Sequence, residues 1–182
     1  VHIRTSLDTL RLAISCGWPI VQNTISSTTI KVSHSTEEPL IIFVDGSCLN
    51  NGKANARAAY GIYVTKNGAE VWRHSAALGK DEPQTNQRAE LRALLYALLY
   101  LRESGCGGTV YTDSKYAIQC VTSWGPAWKA AGWKKADKKP ALHVDLIEPM
   151  LELYGPNGDW GGGIVLQHVA AHTGRADAIS RG

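Results

Sequence analysis

The chain is 182 residues long, enough for one domain with some excess, and its 44% apolar and 19% charged residues match a globular protein that buries a core. A formal net charge of +3 does not by itself argue for nucleic acid, and no apolar run approaches the ~20 residues of a membrane-spanning helix. Cys16, Cys48, Cys106 and Cys120 form no Cys-x-x-Cys pair and no zinc-spaced cluster, so reduced thiols in an intracellular protein are expected, with nucleus, cytoplasm and mitochondrion left open.

Residues 1–39 read as an N-terminal extension and linker. Thr9 to Trp18 has some apolar periodicity, with Arg4, Arg11 and the single acid Asp8. A short surface helix or disordered leader is favoured there over a mitochondrial-type presequence of similar composition. The Ser/Thr-rich stretch from Asn23 to Thr36 reads as a linker. Because the chain opens on Val1 and closes on Ser180-Arg181-Gly182, both ends are expected to be cut.

From Leu40 the texture changes, and one domain is expected over 40–182. Leu40-Ile41-Ile42-Phe43-Val44 reads as a strand buried on both faces that ends at Asp45, with Gly46 and Ser47 turning the chain. Asn50 to Lys53 gives a turn, Ala58 to Val64 a second strand, Lys66-Asn67-Gly68 a hairpin turn and Glu70 to Ala76 a third strand. The three form an antiparallel meander. Thr85 is a plausible N-cap for a long helix from Asn86 to Glu103, with leucines at helical spacing and a stop at Gly105. Thr109 to Thr112 is a short strand running into Asp113-Ser114, which opens a helix through Val121. Strand, helix, strand implies a parallel crossover and hence a mixed sheet. Beyond Trp124-Gly125-Pro126-Ala127-Trp128, a helix is expected from His143 to Tyr154, a Gly-rich loop from Asn157 to Gly163 and a last strand from Ile164 to Val169.

Three carboxylates sit oddly in this pattern. Asp45 and Asp113 follow apolar strands, and Glu90 lies on the helical stripe of Ala93 and Ala97, which faces inward. An ionised carboxylate in such a place must be paired, hydrogen-bonded or bound to a cation. If the helix crosses the first strand and the crossover strand, the three meet above the sheet. Converging carboxylates repel unless a cation neutralises them, and hard oxygen donors select Mg²⁺ or Mn²⁺ over zinc. Such a cluster suits phosphodiester hydrolysis with two metals; turn-capping is the competing reading of each residue alone.

Asp45-Gly46-Ser47-Cys48, Thr85-Asn86-Gln87-Arg88-Ala89-Glu90-Leu91 and Thr112-Asp113-Ser114-Lys115-Tyr116 closely resemble, in order and separation, the three signature blocks of ribonuclease H of the cellular type 1 class. The resemblance runs from Leu40 to Gly182. It implies an α/β, ribonuclease H-like fold: a five-stranded mixed sheet, three strands antiparallel and then parallel strands, flanked by helices. It also implies a two-metal Mg²⁺ site (Mn²⁺ as the alternative) at Asp45, Glu90 and Asp113, and an RNA–DNA hybrid as substrate for a monomeric enzyme. Cys48, Asn50, Asn86 and Gln87 match positions that meet the minor groove of the hybrid, where groups that both donate and accept recognise 2′-hydroxyls. Trp133 and Lys134, within the stretch that also carries Lys129, Lys135, Lys138 and Lys139, match a basic protrusion that holds the DNA strand. His143 stands where many members carry Asn. His172, before Thr173-Gly174, matches a histidine that assists proton transfer and product departure; His34 and His168 read as surface residues.

The family's fourth carboxylate opens a final helix in an Asn-x-x-Ala-Asp segment. The run from His172 to Gly182 resembles what precedes it, so the final helix is expected to be missing, with Asp177 only a weak substitute ligand. Two other readings remain: the ribonuclease H portion of a retroelement polyprotein, and a hybrid-binding module without catalysis.

Overall fold

A computed structural model describes residues 38–158 and 163–170. Five strands form one sheet: β1 (Leu40–Leu49), β2 (Arg57–Lys66), β3 (Ala69–Ala77), β4 (Gly108–Thr112) and β5 (Ile164–His168), in the order β3-β2-β1-β4-β5. β1 pairs antiparallel with β2, and β2 with β3, whereas β1–β4 and β4–β5 are parallel. Four helices complete the described part: α1 (Asn86–Ser104), α2 (Lys115–Thr122), α3 (Trp124–Ala130) and α4 (Val144–Tyr154). The expected mixed sheet is thus present. The extension expected over residues 1–39 falls almost wholly outside the described residues.

Local chemistry explains the elements. The β2–β3 hairpin turns at Asn67 and Gly68, whose φ values of 53° and 76° give the left-handed pair that a two-residue hairpin needs. α1 starts where Thr85 Oγ1 accepts from the Arg88 N–H at 3.2 Å, and it stops at Gly105 in the left-handed region, φ 67°. Its face of Leu91, Leu94, Leu95 and Leu98 is fully buried, and α1 packs against β1, β2, β4, α2 and α4. Ile42, Val44, Ile62, Val64 and Val110 supply the buried sheet side of this core.

Two expectations fail at β1. The strand is not buried on both faces: Leu40, Ile42 and Val44 are inside, whereas Ile41 is 38% exposed, so burial follows the period of two. Nor does it end at Asp45, because the antiparallel ladder with β2 runs on through Asp45↔Gly61 and Gly46↔Tyr60 to Leu49↔Arg57. Gly46 therefore lies inside the strand and makes no turn. On the face away from α1, Phe43 stacks on Tyr111 with ring centroids 5.2 Å apart, and Val165 of β5 is exposed. The helix α3 was not anticipated, since Gly125-Pro126 reads as a breaker. Pro126 falls in the first turn, however, where no backbone N–H is required.

Candidate active site

The parallel ladder between β1 and β4 ends at Phe43↔Tyr111. Two residues further on in each chain segment stand Asp45, still in β1, and Asp113, just past the end of β4, so the ladder brings both to one sheet edge. Glu90 comes to the same edge because of Gly46. A Cβ on Gly46 would lie 2.2 Å from the Glu90 backbone nitrogen and 2.4 Å from the Ala89 carbonyl carbon. Only a residue without a side chain lets α1 approach β1 this closely, and the approach delivers Glu90 beside Asp45.

The electrostatics match this placement. Burial raises the Glu90 carboxyl above its ordinary range, a hydrogen bond from Ser114 opposes the rise, and the charges of Asp113 and Asp45 add to it. Both Glu90 oxygens are engaged. Oε1 accepts from Asn86 Nδ2 at 3.0 Å, and Oε2 accepts from the Ser114 hydroxyl. Among the described residues no three His, Cys, Asp or Glu side chains form a ready-made metal cage. The donor set nevertheless fits a hard divalent cation: three carboxylates from three elements, one of them held in an environment that disfavours its charge until a cation offsets the repulsion.

The other expected site residues are distributed as follows. Cys48, half-buried on β1, donates through Sγ to the Gln84 carbonyl at 3.3 Å. Asn50 sits in the turn after β1, with φ 54° and its backbone carbonyl accepting from Lys53 N at 2.9 Å. Its neighbour Asn51 reaches the start of α1, its Oδ1 accepting from the Asn86 backbone N–H at 3.3 Å. Gln87 is exposed on the first turn of α1. Trp133 is half-buried at φ 61°, its N–H donating to the Trp128 carbonyl at 2.6 Å, and Lys134 pairs with Pro140 across a bridge that displays the neighbouring lysines. His172 and Asp177 lie outside the described residues.

Three contributions were not foreseen. Ser114 holds Glu90. His168, read as a surface residue, places Nε2 3.2 Å from the Asp113 carbonyl and so ties β5 to the β4–α2 turn. Gln84 braces the approach to α1, its Oε1 accepting from Ala58 N at 2.9 Å and its Nε2 donating to the Gly79 carbonyl at 2.8 Å. A Ser directly after Asp at a helix start signals an N-cap, which would have marked Ser114 but not its second partner. Among the described residues no helix is long and apolar enough to cross a membrane.

Comparison with known proteins bears on this arrangement. Residues 37–179 match the RNase H family profile. A curated relative from Cupriavidus pinatubonensis, named Ribonuclease H, is 34% identical over 148 residues, covering 79% of this chain and 93% of the relative. Among solved structures, the PFV RNase H domain superposes with a TM-score of 0.61 at 23% identity, over 77% of this chain and 84% of that domain. The foamy viral protease-reverse transcriptase, solved in complex with an RNA/DNA hybrid, gives 0.65 at 19% identity, over 90% of this chain and 21% of its own. At these identities the structural matches speak for the fold alone.

Proposed function

We propose that this chain, which belongs to the ribonuclease H family, acts as a monomer that cuts the RNA strand of RNA–DNA hybrids internally, using divalent cations held by Asp45, Glu90 and Asp113. The observation that carries this reading is the approach of α1 to β1 over Gly46, which brings Glu90 to the edge where β1 and β4 part and where Asp45 and Asp113 follow the β1–β4 ladder. Oxygen donors of this kind favour Mg²⁺, with Mn²⁺ as the alternative. Bound there, a pair of such ions would supply an activated water and charge stabilisation for the leaving oxygen, the chemistry that gives 5′-phosphate and 3′-hydroxyl ends.

The chain's own residues position the substrate. Asn86, Gln87 and Asn51 cluster at the start of α1 next to the carboxylates, and their amides donate and accept as a 2′-hydroxyl requires. Asn50 and Cys48 border the same surface. Trp133 and Lys134 offer a flat apolar ring and a cation to the backbone of the DNA strand. His172 is assigned to proton transfer on sequence grounds alone.

The test is cleavage of an end-labelled RNA–DNA hybrid by the purified chain with Mg²⁺, with Mn²⁺ and with chelator. The expected result is metal-dependent cutting of the RNA strand alone, abolished by Asp45→Asn. Hybrid binding without any metal-dependent cleavage would instead favour a hybrid-binding module.

A further inference from the structure

We propose that Ser114 is a positioning residue for the Glu90 carboxylate, fixing its orientation for the cation; this rests on the functional reading above. Ser114 is 6% exposed and its hydroxyl works in two directions. It accepts the Ala117 N–H at 3.1 Å, capping α2, and it donates its own proton to Glu90 Oε2. A hydroxyl carries one proton, so once its oxygen serves as cap acceptor, that proton is committed to the carboxylate.

The hydroxyl is held in place before any ligand arrives. The Ser114 backbone N–H donates to Thr112 Oγ1 at 3.1 Å, and Thr112 is itself 2% exposed. Glu90's other oxygen accepts from Asn86 Nδ2 at 3.0 Å. Donors on both oxygens fix the carboxylate plane, and Ser114 links the helix carrying Glu90 to the turn carrying Asp113. For capping alone, Gly, Asn or Asp would serve in place of Ser; only a side chain that accepts and donates at once performs both tasks in so small a space. Partners that orient a ligating carboxylate typically change metal affinity or activity by about 10–100-fold.

The experiment separates this role from a purely structural one. Ser114→Gly keeps a serviceable cap at small cost and removes the hydroxyl. Ser114→Cys keeps nearly the same side-chain volume with a weak donor. Ser114→Thr retains both hydrogen bonds. Mn²⁺ affinity of each metal-free chain is measured by calorimetry, with the thermal midpoint in chelator and the Mg²⁺ midpoint of hybrid cleavage alongside. Affinity should fall about tenfold in the Gly and Cys variants, stay within about twofold of wild type in Thr, and leave the chelator melting points close to wild type. Cleavage by the Gly and Cys variants should recover at high Mg²⁺. Unchanged Mn²⁺ affinity in either the Gly or the Cys variant overturns the proposal, as does an equal loss in Thr. A melting point that falls in step with affinity also overturns it, because the hydroxyl would then serve only the helix. Absence of Mn²⁺ binding by wild type would remove the site assignment itself, and the proposal with it, an outcome distinct from an unaffected variant.

Discussion

Gly46 shows how one missing side chain builds a site. It lies in extended strand between Asp45 and Ser47, and a Cβ there would meet backbone atoms of Ala89 and Glu90 at 2.2–2.7 Å. Backbone cannot rotate aside as a flexible side chain would. Gly46→Ala should therefore push α1 off β1, destabilising the fold by about 1–3 kcal/mol and carrying Glu90 away from Asp45. Urea denaturation and hybrid cleavage measure the two effects; wild-type stability in that variant would show that α1 yields freely. The carboxylates themselves were legible in the sequence, because Asp after an apolar strand and Glu on an inward helical stripe both break the expected polarity. Gly46 was misread for the complementary reason. Asp-Gly is a common turn, and the sequence does not record that a distant helix needs the space. The hydrogen bond from the Asn86 backbone to Asn51 was hidden in the same way, because a turn asparagine carries no sign in the sequence of a partner 35 residues on.

At the scale of elements, a charged network joins the loop before α1 to the start of α4. Arg88, 6% exposed, donates from Nε to Glu82 Oε2 at 2.9 Å and grips Asp145 with both terminal nitrogens, at 3.1 and 2.5 Å; Arg92 also bonds Glu82. Hydrogen bonding to Arg88 depresses the Asp145 carboxyl. At Glu82 burial works against ionisation, but Arg92 and Arg88 outweigh it and depress that carboxyl as well. His143, at φ 58° with Nδ1 3.5 Å from Arg88 Nη1, is held below its ordinary value by burial and then by the Arg88 charge, with Asp145 opposing. All three shifts have the same consequence. As pH falls, the unfolded chain takes up protons that the folded chain resists, so stability declines. The decline begins below 6.5 through His143 and deepens below the ordinary carboxyl values of 4.5 for Glu82 and 3.8 for Asp145. His143→Asn, which suits a left-handed φ, should remove the first part and leave the second. Urea midpoints from pH 7 to 3 read this, and parallel curves for variant and wild type would refute it. The elements were largely legible because caps and stops such as Thr85 and Gly105 act locally. α3 was not, since the value of Gly125 lies in its close approach to α2, where a Cβ would meet the Cys120 carbonyl oxygen at 2.1 Å.

Across the whole molecule, α1 and the sheet bring Glu90 to one edge, where burial raises its carboxyl and, against the Ser114 hydrogen bond, the Asp113 and Asp45 charges add to the rise, so that this corner opposes folding in the absence of a cation. The antiparallel meander and the parallel crossover were readable because the hairpin turn and the strand–helix–strand pattern each allow few topologies. The length of β1 past Asp45 was not, because it depends on the partner strand β2. That extension matters for the energetics: β1 stays paired to β2 through Asp45 and Gly46, so the Asp45 backbone cannot relax away from Glu90 and Asp113. A cation bound there would relieve the repulsion without any movement of the backbone. Removing one charge from the metal-free protein should accordingly stabilise it, the exchange of stability for activity expected where like charges converge. Asp113→Asn should melt a few degrees above wild type in chelator. Wild type, in contrast, should gain from Mn²⁺ by mass action, about 2.7 kcal/mol at a hundred times its Kd, whereas the variant gains far less. Scanning calorimetry of both proteins with and without Mn²⁺ gives a crossing pattern: the variant higher without metal, wild type recovering the difference with it. If Asp113→Asn instead melts below wild type in chelator, the carboxylates at this edge are paired within the protein and do not wait for a cation, and the metal site would have to be sought elsewhere.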